Sequence, residues 1–269
     1  MSAHPFDAAI ALAPAGEGLY TGATHPAWAN MVGPFGGITA ATLLNAVCLD
    51  PRRLGEPASL TVNYAGPVAE GEFLVDAQAA RTNRSTQYWT ISLRQGGAVA
   101  ATASALFALR RDTWSDTEAV FPQVPAAGAC ARSESPRGVQ WTKRYEMRFA
   151  AGGWPDFSNP ADQPDSLTSL WVRDDPPRAL DALSLASLCD VFYPRIFRRR
   201  QRVTPAGTVS MTIYFHAVAA ALAAHGERPV LGQARAQRFA QGFFDQSAQL
   251  WGGPGQLFAS SHQLVYYKD

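Results

Sequence analysis

Asp190 is the carboxylate whose surroundings in this sequence most strongly indicate chemistry. It lies in SLASLCDVFYP, where the spacing of apolar residues predicts a helix packed on most of its sides. A carboxylate in such a helix is costly unless it has a partner or a function. The alternative interpretation is an aspartate near the helix C-terminal end that faces water or caps a loop.

A second chemical feature is the glycine pair Gly36-Gly37, which opens the apolar segment GGITAATLLNAV. Free backbone N–H groups at a helix N-terminus can hold an oxygen on which negative charge develops. The simpler alternative is that the glycines allow close packing or a tight turn. A basic run, RIFRRRQR at 195–202, could contact phosphates, although such runs more often form a solvated face.

Several catalytic classes are missing from the sequence. It contains no G-x-S-x-G nucleophile elbow, no H-E-x-x-H, no C-x-x-C and no phosphate-cradling G-x-x-x-x-G-K-[ST]. The five histidines show no metal-ligand spacing. We therefore expect chemistry without a metal, without a cofactor and without a covalent intermediate.

The chain contains two copies of one pattern, in which an apolar helix-like segment precedes several β-rich runs. Laying Leu60-Thr61-Val62 on Met211-Thr212-Ile213 gives an offset of 151 residues (211 − 60). Two copies are too few for a solenoid. The sequence therefore predicts a fused pseudo-dimer of one small α+β unit.

The first copy indicates how each unit folds. Its helix is apolar nearly all round, which is typical of a buried helix, and the short connections between the β-rich runs imply antiparallel strands. One buried helix wrapped by a curved antiparallel sheet is the hot-dog arrangement. The predicted fold is a double hot-dog of class α+β, in which two antiparallel sheets, each around a central helix, pair into one continuous sheet. The predicted strands are 58–65, 72–82, 86–94 and 98–109.

The segments also support a family. The first half carries GPFGGITAATLL, LTVNYAGPV and ATASALFAL, and the second carries LASLCDVFYP, GTVSMTIYFH and ASSHQLVYY. In order and spacing they resemble the acyl-CoA thioesterase II family of double hot-dog proteins, over roughly residues 25 to 268 apart from a variable middle. The Asp-His pair that usually follows the family's Thr-bearing position is Ser210-Met211 here, whereas His216 is kept.

The resemblance implies a catalytic set in the second half: Asp190 on the Asp-bearing helix, Thr208 on the Thr-bearing strand and Gln263 on the last strand. A hydroxyl and an amide can fix a water molecule against Asp190 without adding charge. That water would attack the thioester carbonyl of an acyl-CoA, and Gly36 and Gly37 would bind the carbonyl oxygen.

Taken singly, Thr208 and Gln263 are unremarkable strand residues. Strict alternation along the strand predicts that Thr208 shares a polar face with Ser210, Thr212, Tyr214 and His216. Apolar residues occupy the opposite face. The position of Asp190 relative to this polar face does not follow from the sequence.

Composition limits the partners. With a net charge of +1 and 17% charged residues, the chain has no overall field that favours nucleic acid or a cationic partner. No apolar run approaches 18 residues and the N-terminus lacks a basic region, so no membrane partner is expected. Three widely spaced cysteines indicate a reducing cytoplasm. The fold leads us to expect a homo-oligomer, a dimer of double hot-dogs.

We divide the chain into an N-terminal hot-dog (1–115), a linker (116–138) and a C-terminal hot-dog (139–269) that carries the catalytic residues. The predicted function is hydrolysis of an acyl-CoA to free acid and CoA. The alternatives are another hot-dog acyl-CoA enzyme, such as a hydratase, or a non-catalytic acyl-CoA or acyl-carrier binding protein. At the repeat offsets Asn45, Pro57 and Ala105 replace the catalytic residues, which predicts one active site per chain.

Overall fold

The computed structural model describes residues 3–136, 138–158 and 160–268. Its first half begins with a short helix, α1 (Pro5–Ala9), and contains one long helix, α2 (Gly36–Leu49). The four predicted strands are confirmed, and two further short strands precede them. The strands of this half are β1 (Ala13–Gly16), β2 (Leu19–Ala23), β3 (Glu56–Tyr64), β4 (Glu72–Thr82), β5 (Thr86–Gln95) and β6 (Ala98–Ala108).

The second half repeats this layout with shorter helices: α3 (Ala182–Leu188), α4 (Arg195–Arg200) and α5 (Ala219–His225). A single 3-10 turn over Trp141–Arg144 leads into its first strand. The strands are β7 (Tyr145–Ala151), β8 (Thr168–Asp174), β9 (Ala206–Phe215), β10 (Val230–Arg235), β11 (Phe239–Ala240), β12 (Phe243–Gly253) and β13 (Gln256–Tyr267).

All these strands belong to one antiparallel sheet, which confirms the predicted double hot-dog. The order is β1-β2-β4-β5-β6-β3 in the first half, followed by β9-β13-β12-β10-β8-β7 in the second, and β11 pairs only with β12. The second half is therefore the mirror order of the first. The halves join edge to edge where β3 pairs with β9.

The joint lies on a pseudo-twofold axis. Thr61 pairs with Thr212, and their Oγ1 atoms are 3.0 Å apart. On either side Leu60 pairs with Ile213, and Val62 pairs with Met211. These pairs are symmetric only if the repeat offset is 151 residues, which is the offset that the sequence gives.

Helix α2 is the central helix of the first half and is buried from Gly37 to Val47. Its polar side chains tolerate this burial because they are hydrogen-bonded to backbone carbonyls: Asn45 Nδ2 donates to the carbonyl of Ile10 at 2.9 Å, and the two threonines bond within the helix or its cap. The hydroxyl of Thr42 donates to the carbonyl of Ile38 at 2.8 Å, and that of Thr39 donates to Phe35 at 3.4 Å. The prediction of a buried helix is confirmed.

Helix α3 is shorter than the sequence predicts, since the predicted helix includes Asp190. The Asp181 carboxylate caps the N-terminus by accepting from the Ser184 N–H at 2.8 Å. The helix ends at Leu188, and Asp190 lies in the following turn, where its N–H donates to the Ser187 carbonyl at 3.1 Å.

Candidate active site

Three side chains from different elements of the second half form one hydrogen-bonded chain. The Thr208 hydroxyl donates to Gln263 Oε1 at 3.2 Å, and Gln263 Nε2 donates to Asp190 Oδ1 at 2.9 Å. Gln263 is buried, and its Nε2 also lies 3.4 Å from the sulfur of Met211. Met211, which departs from the family's usual residue, thus packs against the amide. The structure brings together the three residues that the resemblance implies.

Thr208 reaches this chain through a β-bulge in β9. Ser210 pairs with Leu264 and Thr208 pairs with Val265, so Val209 is an extra residue opposite the partner strand. The bulge turns Thr208 to the inward face that carries Met211, and it leaves Val209 38% exposed. The expectation of strict alternation, which put Thr208 on the face of Tyr214, is therefore wrong.

Asp190 is half-buried and faces a cavity. Burial raises the pKa of its carboxyl group from 3.8 to about 7, while the hydrogen bonds from Gln263 and from the Gly37 N–H act in the opposite direction. The Gly37 N–H belongs to the N-terminus of α2, whose dipole favours a nearby negative charge. The carboxyl group is therefore balanced between its neutral and ionised forms close to pH 7.

The glycine pair allows the N-terminus of α2 to approach this carboxylate. A Cβ atom on Gly36 would lie 2.7 Å from Asp190 Oδ2, and one on Gly37 would lie 2.5 Å from the Ser187 carbonyl oxygen. Both contacts are closer than side chains tolerate. The Tyr64 hydroxyl donates to the Gly36 carbonyl at 2.9 Å and fixes this turn from β3. The site therefore combines elements of both halves.

The cavity in front of Asp190 has a volume of about 370 Å³, within the range of small-molecule sites. Gln263 and Thr208 lie with Asp190 in its wall, and most other lining side chains are apolar. The ring of Phe35 stacks on Trp141 with ring centroids 4.1 Å apart, and the two rings form part of one cavity wall. The other aromatic residues of the lining are Trp154, Phe157, Phe192, Tyr193 and Phe197.

The basic run contributes less charge to the surface than its sequence suggests. Arg195 is fully buried, and its guanidinium donates to Thr168 Oγ1 at 2.7 Å and to the carbonyls of Ser166 and Tyr193. Arg200 forms an ion pair with Asp162 at 2.8 Å. A phosphate contact stays a prediction for the remaining arginines of the run, which are 198, 199 and 202.

Within the described residues, no group of three or more His, Cys, Asp or Glu side chains is arranged to hold a metal ion. None of the helices in that part of the chain has the length and apolarity that crossing a membrane would require. All three cysteines are free thiols.

Sequence reasoning missed two residues of the site. Tyr64, the last residue of β3, gives no signal because its role depends on a contact with the distant Gly36. Gln246 lies in the cavity wall beside Gln263. The sequence does carry a signal for Gln246, since it is the polar member of an otherwise apolar face between Phe244 and Ala248.

The structure is a double hot-dog with a cavity in front of Asp190, and comparisons with known proteins assign the family. A family model for the acyl-CoA thioesterase C-terminal domain matches residues 121–267, and one for the N-terminal domain matches residues 24–108. The chain belongs to the acyl-CoA thioesterase family and is a thioester hydrolase. A comparison with curated proteins gives no match.

Solved structures support the same fold. A conserved protein of unknown function with a hot dog fold from Alicyclobacillus acidocaldarius is 43% identical, with a TM-score of 0.95, over 100% of this chain and 99% of its own. The tesB protein of Mycobacterium avium subs paratuberculosis is 18% identical with a TM-score of 0.78, and 98% of each chain is covered. Acyl-CoA thioesterase II TesB2 of Mycobacterium marinum is 16% identical with a TM-score of 0.73 at the same coverage.

Proposed function

We propose that this protein hydrolyses an acyl-CoA to a free acid and CoA, with Asp190 as general base and with Thr208 and Gln263 positioning the attacking water. The observation that carries the proposal is the hydrogen-bonded chain of these three side chains at the wall of an apolar cavity. A carboxyl group with a pKa near 7 suits this role, because a base works best when its pKa lies close to the operating pH.

The first step is attack of water on the thioester carbon. As the C–O bond forms, a water proton moves to the Asp190 carboxylate and the carbonyl π electrons move to the oxygen. Gln263 Nε2 remains hydrogen-bonded to Asp190 Oδ1. The other carboxylate oxygen, Oδ2, accepts the proton. Thr208 fixes the rotamer of Gln263 by donating to its amide oxygen.

The developing oxyanion is assigned to the N-terminus of α2. The Gly37 N–H is directed at Asp190, whereas Gly36 is the first residue of the helix and its N–H has no intrahelical acceptor. The Gly36 N–H is therefore the better donor to the oxyanion. Gly37 serves the substrate indirectly, by holding the carboxylate beside it.

Collapse of the tetrahedral intermediate completes the reaction. The C–S bond breaks, its electron pair stays on the CoA sulfur, and the proton on Asp190 passes to that thiolate. The products are the acid and the CoA thiol, and Asp190 returns to its ionised form. No cofactor and no acyl-enzyme are needed.

Replacing Asp190 with asparagine tests the proposal. Turnover of the acyl-CoA that the wild type prefers should fall about 10² to 10⁴-fold, while circular dichroism stays unchanged. The matched control is Asp174→Asn. Asp174 is also buried with its pKa raised to about 6 by burial, but it bonds Ser184 and lies outside the cavity.

Near-normal turnover by the Asp190 variant, or an equal loss in both variants, would remove Asp190 from the mechanism. Hydration of an enoyl-CoA without thiol release would favour the hydratase alternative. Binding of acyl-CoA with neither reaction would favour a binding protein. Thiol release and product mass distinguish these outcomes in one assay.

The proposal includes a homo-oligomer in the cytoplasm. Three large side chains on the outward face of β9 and β13 are exposed: Tyr214 at 53%, Leu264 at 41% and Tyr266 at 45%. Exposed apolar side chains on one face of the sheet suit contact with a second copy, and the three free thiols suit a reducing compartment. Sedimentation of the wild type beside Tyr214→Ser tests the oligomer, because a single monomeric species in the wild type would contradict it.

A further inference from the structure

Gln246 is a buried amide that faces the cavity. It lies on β12, directly across from Gln263 on β13, and only 2% of its surface is exposed. Both side chains line the cavity. No protein group among the described residues forms a hydrogen bond with the Gln246 side chain, whereas Gln263 is bonded to both Asp190 and Thr208.

Most other polar side chains of the cavity wall are already engaged, whereas the buried Trp154 indole N–H, like the Gln246 amide, has no hydrogen-bond partner among the described residues. Asn30 accepts from the Trp141 indole at 3.3 Å, Thr142 donates to a backbone carbonyl at 2.8 Å, and the Tyr193 hydroxyl lies within 3.0 Å of two carbonyls. The polar atoms of the Gln246 amide are in contact with the cavity rather than sealed inside the protein. A molecule that enters the cavity can therefore form a hydrogen bond with this amide, and would leave it unpaired if it displaced water without doing so.

The first half has a different residue at the position equivalent to Gln246. By register, Gln263 corresponds to Ala105 and Gln246 corresponds to Trp89, since Trp89 pairs with Ala105 as Gln246 pairs with Gln263. Trp89 is 1% exposed, and its indole donates to Gln87 at 2.9 Å. A large aromatic side chain fills the position in one half, and a smaller polar side chain occupies it beside the cavity in the other.

We propose that Gln246 determines acyl specificity by binding an uncharged oxygen, a hydroxyl or an oxo group, on the acyl chain of the substrate. Gln246 lies one strand beyond Gln263, whose amide holds Asp190. Neighbouring strands are about 4.8 Å apart. An oxygen three to five bonds from the thioester carbon, at roughly 1.3 Å per bond along an extended chain, would reach it.

The oxygen should be uncharged because the described cavity lining contains no Arg, Lys or His side chain to offset a carboxylate. Asp190, the charged group of the lining, would repel one. A site built to bond a polar group discriminates strongly against the analogue that lacks it, because the buried amide is then left unpaired. This inference rests on the proposed thioesterase function for the placement of the thioester beside Asp190.

The test compares substrates that differ by one oxygen: hexanoyl-CoA against 3-hydroxyhexanoyl-CoA, 3-oxohexanoyl-CoA and 5-hydroxyhexanoyl-CoA. In the wild type, kcat/KM for at least one oxygenated member should exceed that for hexanoyl-CoA by roughly 10- to 100-fold. Gln246→Met keeps the side-chain length and removes the amide, so the ratio of kcat/KM for the preferred oxygenated substrate to kcat/KM for hexanoyl-CoA should fall to about one.

Gln249→Met is the matched control, because Gln249 lies on the outward face of the same strand and outside the cavity. It should keep the preference. Equal activity of the wild type on all four substrates would overturn the inference. A Gln246→Met loss that is the same for hexanoyl-CoA as for the oxygenated substrates would also overturn it, because it would place the amide at the carbonyl or the water.

Binding of non-hydrolysable thioethers separates this inference from the proposed function. Calorimetry with S-hexyl-CoA and S-(3-hydroxyhexyl)-CoA measures the preference without turnover, alongside the 3-oxo and 5-hydroxy analogues. A preference that disappears in Gln246→Met, in a protein that hydrolyses none of the esters, would support the role of Gln246 and reject the thioesterase assignment. Hydrolysis of the esters with no binding preference would reject only the role of Gln246.

Discussion

Replacing Asp190 with asparagine should increase the free energy of unfolding at alkaline pH while it removes activity. The folded protein raises the pKa of this carboxyl group from 3.8 to about 7. The folded state therefore holds the proton more tightly than the unfolded chain does. The contribution of Asp190 to the free energy of unfolding therefore falls as pH rises between about 4 and 7, and the full loss is present above pH 7.

The size of the effect follows from the pKa. Each pKa unit corresponds to about 1.4 kcal/mol, so the ionised carboxylate destabilises the folded state by up to about 4 kcal/mol. Asparagine has one acceptor oxygen for the donors of Gln263 and Gly37, and losing one hydrogen bond costs about 1 to 2 kcal/mol. The variant should thus be about 2 to 3 kcal/mol more stable at pH 8, with Tm higher by about 5 to 10 °C.

Urea denaturation of both proteins at pH 8 and at pH 4.5 measures this difference. At pH 4.5 ionisation of Asp190 destabilises the folded wild type by only about 1 kcal/mol. The stability advantage of the Asp190→Asn variant should therefore vanish or change sign. The variant should remain inactive at both pH values. A variant that is less stable than the wild type at pH 8, or equally shifted at both pH values, would refute the claim that burial of this carboxylate opposes folding.

Further predictions concern the same site. The kcat/KM of the wild type should rise with pH through about 7, because only ionised Asp190 accepts a proton; a flat profile would contradict this. Gly36→Ala should lower kcat roughly 10- to 100-fold, since its Cβ would meet Asp190 at 2.7 Å, whereas Gly66→Ala, with no atom within 4 Å, should not. Titration with S-hexyl-CoA should saturate at one ligand per chain, and two equivalent sites would disprove the asymmetry. Residues 1–125 and 135–269, expressed separately, should fail to give dispersed amide spectra, because each would expose an unpaired strand, β3 or β9.

The fold was predictable because the repeat and the apolar patterns report the same arrangement. The offset of 151 residues that aligns Leu60-Thr61-Val62 with Met211-Thr212-Ile213 is the offset that the Thr61–Thr212 pair realises at the centre of the sheet. The first-half strands were predicted to within two residues at each end, since turn residues bound them. The short strands β1 and β2 were missed, because 13–23 is rich in small residues and shows no strand-like alternation.

The site was only partly predictable, because its geometry depends on departures from regular structure. A β-bulge at Val209 places Thr208 beside Gln263, and no residue type in GTVSMTIYFH indicates a bulge. Asp190 lies beyond the end of α3, although the apolar spacing continues through it. Both positions depend on tertiary contacts, and the chain gives no local signal for them.

The two halves share the bulge but differ in the side chains beside it. β3 has the same irregularity, with Ala58 as the extra residue, at the offset of 151 from Val209. The geometry that aims Thr208 at Gln263 is thus present in both halves, but the first half has Pro57 in place of Thr208 and Ala105 in place of Gln263. Trp89 then fills the space beside them. The halves therefore differ in these side chains and also in the central helix, because α3 ends before Asp190 whereas Asn45 lies within α2.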